Sequence, residues 1–329
     1  MKPNPGFELV LPYLRPIEAL ILDETVSEIM VNGGPRVFVE RAGRLEAIPD
    51  SGLTEAALNA AIRNIARRLG DDVSEAKPIL DSRLPDGSRV AAVIRPCSVD
   101  GITLTIRKFA AQHFTMNDLL DAGTVTAQAA ALLQQHVERR SNILISGGTG
   151  TGKTTLLNVL ANFIPDDDRV VLIEDTAEIR FRKPNLVRFE ARREQNGIPA
   201  VTIRDLLKAT LRHRPDRIIV GEIRGGEAFD LLQALNTGHS GTISTIHANS
   251  AAQALQRFTS CVLQSGIELP YRAIKSHIAD SIQLLVHIER HHGRRYVSEM
   301  LAIEGYSADA DKYELARLFV RNQSPGKED

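Results

Sequence analysis

Several things are scarce in this chain of 329 residues. It holds two cysteines, Cys97 and Cys261, far apart and without metal-ligand spacing. That excludes a cysteine-built metal site, and a reduced, cytosolic setting is the simple reading. Net charge is nearly absent: 40 Lys+Arg against 41 Asp+Glu leave −1, which gives no argument for a nucleic-acid partner. Long apolar runs are missing too. No stretch approaches ~18 uninterrupted apolar residues, so no segment reads as a membrane span. Met1 to Gly6 carry one lysine and two prolines and lead into no apolar run, which is not the pattern of a signal peptide. There is no internal repeat. The hydrophobic content of 43% and charged content of 25% are those of an ordinary globular protein, and the length suffices for two domains.

What is present is a glycine-rich run, Gly147-Gly148-Thr149-Gly150-Thr151-Gly152-Lys153-Thr154, which satisfies G-x-x-x-x-G-K-[ST]. Residues 142–146 ahead of it read as a buried strand, and residues 153–163 behind it as a helix. Strand, glycine loop and helix together make a phosphate cradle. Glycines let backbone N–H groups turn inward, the helix N-terminus adds positive dipole, Lys153 neutralises charge and Thr154 offers a hydroxyl to Mg²⁺. Gly148, Thr149, Gly150, Thr151, Gly152, Lys153, Thr154 and Thr155 are therefore the candidate nucleotide ligands, with ATP and Mg²⁺ as the expected cofactors.

Three further constellations narrow the class. Ile218-Ile219-Val220-Gly221-Glu222 is an apolar run ending in a carboxylate, the Walker B layout, with Gly221 where aspartate is usual. Glu222 is the candidate for polarising the attacking water, and acidic groups are expected to reach the metal through water. Val171-Leu172-Ile173-Glu174-Asp175-Thr176-Ala177-Glu178 is a second strand ending in acids, whose Glu174 and Glu178 are placed to hold Mg²⁺-bound waters. Thr154, Glu222 and Glu174 form the expected metal set. The third, residues 237–249, carries His239 and His247 on either side of a probable strand, candidates for sensing the γ-phosphate.

Along the chain, residues 10–110 read as mixed α/β. A hairpin is expected over 36–40 and 44–48, a helix over 54–69, and an alternating strand over 102–107 with Arg107 on its polar face. Helical segments follow at 116–120 and 127–137. Then strands at 142–146, 169–174, 217–221 and 241–246 alternate with helices at 153–163, 202–212 and 226–236. That alternation predicts a parallel sheet covered on both faces. From Ala251 onward two helices and further extended segments, such as 282–288, are expected.

The set GGTGTGKTT, LIEDTAEI, RPDRIIVGEIRGGEA and TGHSGTISTIHANS, in that order, resembles the type II/type IV secretion ATPase family, which includes CpaF/TadA-like ATPases of Flp pili and TrbB-like ATPases of conjugation. RLPDGSRVAAVIRP and ITLTIRKF extend the resemblance to about residues 20–305, and Gly221 agrees with it. Within the family the resemblance is closest to the CpaF-like branch; against that, the chain begins close to the family's core, more like the conjugation members, and it has no tetracysteine insertion, unlike many type II secretion ATPases. The resemblance implies a PAS-like N-terminal domain over 1–110, a linker over 111–122 with a hinge near 110–115, and a RecA-like ATPase domain over 123–329. It also implies a homohexamer, working with an inner-membrane platform or secretion-channel proteins from the cytoplasmic side. Arg89, Arg95 and Arg107 are the positions that match its phosphate-approaching arginines. Two other readings stand beside an ATP-driven secretion motor: a RecA-like DNA translocator, and a nucleotide-binding scaffold with little turnover.

Overall fold

The computed structural model describes residues 8, 10–33, 36–41, 43–108, 114–192, 194 and 197–321. The chain divides into two compact units, Met1–Gln112 and His113–Asp329.

The first unit runs α1 (Glu18–Leu22), β1 (Val26–Asn32), β2 (Arg36–Arg41), β3 (Arg44–Ile48), α2 (Glu55–Arg68), β4 (Ile79–Arg83), β5 (Arg89–Val93) and β6 (Thr103–Arg107). Its six strands pair antiparallel in the order β3-β2-β1-β6-β5-β4. Alternation puts Ile29, Val31, Val37, Val39, Val90, Leu104 and Ile106 into one core with Leu58, Ile62 and Ile65 of α2. That helix starts where Thr54 accepts the amide of Ala57, and Gly70 follows its last turn at φ +74°. The expected hairpin is present, with Arg41 opposite Arg44; Ala42 of its turn lies outside the described residues.

The second unit runs α3 (Met116–Asp121), α4 (Ala127–Glu138), β7 (Ile143–Gly147), α5 (Lys153–Ala161), β8 (Val170–Glu174), β9 (Leu186–Glu190), α6 (Ile203–Thr210), β10 (Arg217–Ile223), α7 (Glu227–Asn236), β11 (Ile243–His247), α8 (Ala251–Leu263), α9 (Tyr271–Ser281), β12 (Leu284–His291), β13 (Arg294–Ser307) and β14 (Lys312–Val320). The sheet order is β14-β13-β12-β7-β11-β10-β8-β9. The strands from β12 to β9 are parallel, and β13 and β14 extend the sheet antiparallel. Both faces are covered. Ile143, Ile145, Leu172 and Val286 pack with α4 and α5, while Leu144, Val171, Ile173 and Leu285 pack with α7, α8 and α9.

Two differences from the sequence reading have local causes. The linker expected over 111–122 contains α3, which belongs to the second unit: Thr115 and Asp118 cap it reciprocally and Leu119 is buried in that unit's core. Residues 109–113, which hold most of the expected hinge, lie outside the described residues. The second difference is β9, an exposed edge strand whose mixed residues Leu186-Val187-Arg188-Phe189-Glu190 give little periodic signal.

The start of β7 is fixed by one side chain. Asn142 is buried; its Oδ1 accepts the amides of Gly241 and Thr242 at 2.8 and 3.0 Å, and its Nδ2 donates to the carbonyl of Ser281 at 2.6 Å. It joins the starts of β11, β7 and β12, that is, the strand that leads into the glycine loop and its two neighbours. Asn142→Leu strips a shared acceptor from two buried amides. Chemical denaturation of the second unit should then show a loss of about 3 kcal/mol, and a loss under about 1 kcal/mol would contradict this anchoring role.

Candidate nucleotide site

Parallel pairing sends the C-terminal ends of β12, β7, β11, β10 and β8 to one edge of the sheet, with His247 opposite Gly147 and Gly221 and Glu174 one step beyond the Val220–Ile173 pair. The glycine loop leaves from that edge. A Cβ at Gly147 would lie 2.3 Å from the carbonyl oxygen of Ile288, so only glycine fits where the loop leaves the sheet. Gly152 is the N-cap of α5 at φ +100°, a left-handed conformation, and contributes no side-chain cap. The first amides of α5 thus face outward without a capping side chain, the arrangement that accepts a phosphate.

Lys153 stands at the head of that helix and is only 7% exposed. Its ammonium donates to the carbonyls of Gly147 (3.0 Å) and Gly148 (2.8 Å) and lies 3.4 Å from Nδ1 of His247. Burial lowers its pKa, an effect that the carboxylate of Glu222 opposes. Thr151 donates its hydroxyl to Gly148, and Arg295 of β13 donates Nε to the carbonyl of Gly150 at 3.0 Å.

The acids lie beside this loop. One oxygen of Glu222 accepts from Nη2 of Arg224 at 2.7 Å, and the other lies 2.8 Å from Nε2 of His247. Arg224 also reaches Asp175 at 3.4 Å, and its pKa is raised, chiefly by the bond to Glu222. His247 has its pKa lowered, first by burial and then by the nearby Lys153. A run of close contacts therefore joins Asp175, Arg224, Glu222, His247 and Lys153 to the loop carbonyls, although Oε1 of Glu222 faces His247 at 2.8 Å without meeting hydrogen-bond geometry. A cavity of about 340 Å³ opens beside it, lined by Gly148, His247, Asn249, Gln253, Gln256 and Arg257 among others. Glu174 is buried at the end of β8, its Oε1 accepting the amides of Glu178 and Ile179, both at 2.8 Å.

The sequence-predicted residues fall into three places. Gly148 to Thr155, Glu222, Glu174, Glu178 and His247 gather at one edge of the second sheet. His239 does not join them. It precedes β11 while His247 ends it, so the two rings emerge at opposite edges; His239 Nδ1 instead lies 3.2 Å from the carbonyl of Ala234 at the end of α7. The glycine beside it has a packing role, because a Cβ at Gly241 would lie 2.8 Å from Nη1 of buried Arg217. The three arginines belong to the first unit and are themselves divided. Arg89 pairs across strands with Arg107 on one side and Arg83 on the other, whereas Arg95 lies beyond the far end of β5, bonded to Glu55 at 3.1 Å. Arg83, Arg224, Asp175 and Arg295 were not singled out from the sequence. Two of these carry a signal there: Arg224, two residues past Glu222, and Asp175, next to Glu174 in the acidic strand end.

Burial pushes the carboxyl of Glu174 up to about 7, against the pull of the two amides and Arg188. The folded chain thus keeps a proton that the unfolded chain releases near 4.5. This contribution to stability is complete below pH ~4.5 and is lost as pH rises to ~7. Glu174→Gln has no such proton. Its unfolding free energy measured against pH should lack this decline, the two curves diverging by up to about 3 kcal/mol; parallel curves would show that Glu174 does not titrate there.

Residues 13–309 match the family described as "Type II/IV secretion system protein". The chain is 38% identical over 287 residues to the conjugal transfer protein TrbB of Rhizobium radiobacter, covering 86% of this chain and 85% of that one. It is 32% identical over 328 residues to the type IV secretion system protein VirB11 of Bartonella henselae, covering 89% and 92%. The structure of the Legionella pneumophila ATPase DotB shares the fold, with a TM-score of 0.61 at 22% identity over 92% of this chain and 82% of that one. With a phosphate loop, a Walker B glutamate and a strand-end histidine at one sheet edge, and a match spanning nearly its whole length, the chain belongs to the type II/IV secretion system protein family.

Proposed function

We propose that this protein is an ATP hydrolase that powers a membrane-bound machine of the secretion, conjugation or pilus type. One observation carries the reading: Lys153, Glu222 and His247 form a connected network at the mouth of an uncapped helix N-terminus. A scaffold that only held nucleotide would have no use for a carboxylate aimed there.

The residues fit MgATP. The loop glycines and the head of α5 suit the phosphates, and Lys153 is a cation whose present partners are weak carbonyl acceptors. Phosphate oxygens replace those carbonyls without new burial of charge. Among the described residues no group of three or more His, Cys, Asp or Glu forms a metal cage. This donor set suits Mg²⁺, which prefers one hydroxyl, phosphate oxygens and water to an all-protein cage. Thr154 supplies the hydroxyl. When bound, the metal neutralises developing phosphate charge. Glu222 takes the proton of the attacking water, and the His247 ring, held between Glu222 and Lys153, registers the γ-phosphate. Arg224 holds Oε2 of Glu222, which leaves Oε1, close to the His247 ring but without a hydrogen-bond partner among the described residues, as the oxygen to take that proton.

The second unit, with its parallel strands and two helical faces, is assigned to the RecA-like class and the first to a PAS-like module. The assembly is a homohexamer with an inner-membrane platform or channel as partner, acting from the cytoplasmic face. The kinship with TrbB and VirB11 supports this assignment. No helix among the described residues is long and apolar enough to cross a membrane. Arg83, Arg89 and Arg107 stand in one cross-strand row, with Asp81 bonded to Arg89 at 3.3 Å and Glu28 opposite Arg107, so the row is already partly balanced by carboxylates. The family resemblance is what assigns Arg89 and Arg107 to phosphate charge.

Lys153→Ala should abolish turnover and weaken ATP binding. Glu222→Gln should bind ATP within about threefold of the parent while kcat falls at least ~100-fold. Equilibrium binding of a fluorescent ATP analogue and a phosphate-release assay check the pair, and wild-type turnover by Glu222→Gln would remove the catalytic assignment. Arg107→Ala should lower kcat by about tenfold or more in the same assay, while Arg95→Ala, whose guanidinium bonds Glu55, should have the smaller effect. The reverse order would count against the arginine row.

A further inference from the structure

Glu174, the last residue of β8, and Gly221, two residues short of the end of β10, lie side by side and explain each other. A Cβ built on Gly221 would lie 3.1 Å from Cγ of Glu174 and 3.4 Å from Cδ1 of Ile179. The glutamate stem thus lies over bare backbone, between the loop leaving β8 and the loop leaving β10. From there its Oε1 takes the amides of Glu178 and Ile179, closing the chain after Glu174 into a short turn. The same turn is held from β9, where Glu190 accepts the amide of Ala177 at 3.1 Å and the amide of Ala191 donates to the carbonyl of Glu174 at 2.9 Å. Within the turn, Asp175 meets Arg224, which holds Glu222. The other oxygen of Glu174 has no hydrogen-bond partner among the described residues, and its nearest cation is Arg188 at 3.6 Å. A side chain 3% exposed, with one oxygen committed to two amides, is badly placed to hold metal-bound water.

We infer that Glu174 is a positioning residue: lodged over the bare backbone of Gly221, its carboxylate sets the Asp175–Glu178 turn, and through Asp175 and Arg224 the orientation of Glu222. The glycine at the Walker B position is there to leave room for it. What the turn requires is an acceptor oxygen at the position of Oε1, not a negative charge. A glutamine can supply that oxygen while its amide nitrogen takes the place of Oε2.

The inference rests on the ATP-hydrolysis reading, and the test separates the two. Full-length wild type, Glu174→Gln, Glu174→Ala and Gly221→Ala are compared by steady-state ATPase rate, equilibrium binding of a fluorescent ATP analogue, and amide hydrogen exchange over residues 174–179. Absence of turnover in the wild type would remove the reading itself. With an active wild type, Glu174→Ala should lose about tenfold or more in kcat with ATP affinity changed less than about threefold, and its Glu178 and Ile179 amides should exchange faster. Glu174→Gln should turn over at least about tenfold faster than Glu174→Ala and keep those amides protected. Gly221→Ala, which sets a methyl group 3.1 Å from Cγ of Glu174 without altering any charge, should push the stem aside and slow turnover in the same direction as Glu174→Ala, and it carries the comparison where Glu174→Ala fails to fold. Glutamine and alanine variants equally slow, or Gly221→Ala at the wild-type rate, would overturn the inference.

Discussion

An ammonium group with little access to water is the constraint around which this site is built. Lys153 has surrendered most of its hydration, and it is held by two loop carbonyls with Glu222 close enough to favour its charge. Removing a cation from water is costly unless polar groups replace the lost hydration. The glycine loop does this with backbone oxygens, which are correctly placed only because Gly147 passes within van der Waals range of Ile288. That close approach in turn needs β12 beside β7, and the alignment of the two strands starts at Asn142. The anchor at one end of the strand and the charge at the other belong to one device.

The motifs made the second unit legible. Apart from β9, the strands and helices in the parallel part of the sheet are legible in the sequence within a few residues, because fully buried parallel strands are continuous apolar runs and the intervening helices keep their spacing. The edge strand β9 and the antiparallel pair β13–β14 were less legible, since half-exposed strands with mixed residues carry no such run. In the site, the glycine loop, Lys153, Glu222 and His247 could be read from motif and spacing. His239 could not be placed correctly by the same means. The sequence shows two histidines eight apart, and only the strand direction reveals that they leave opposite edges. The segment TGHSGTISTIHANS therefore mixes two jobs: its first half packs around Arg217 and Asn142, and its second half reaches the phosphate loop.

The arginines illustrate a different limit. Arg107 was visible because its strand alternates, but its pairing with Arg89 and Arg83 depends on the order β6-β5-β4, which no single-strand pattern contains. Arg95 shares the motif neighbourhood of Arg89 and yet stands at the other end of the sheet, bonded to the start of α2. Proximity in sequence carried no information about which edge each residue serves. Arg295 is invisible in the sequence for the same reason, because it acts on Gly150, far away in the chain; Arg224 carries a local signal from Glu222 but none from its other partner, Asp175.

The place of β7 in the sheet has a consequence for biosynthesis. Its two neighbours are β11 and β12, and the buried bond between Ser146 and His287 joins residues 141 positions apart. A ribosome emits the glycine loop long before either flanking strand exists. Until β12 emerges, the carbonyl of Ile288 that shapes Gly147 is missing, and Lys153 has no finished pocket to enter. Non-local pairing of this kind closes late, since a long chain segment must be ordered before the contact is made. The nascent chain therefore cannot engage nucleotide in this way until β12, ending at His291, has emerged and paired with β7.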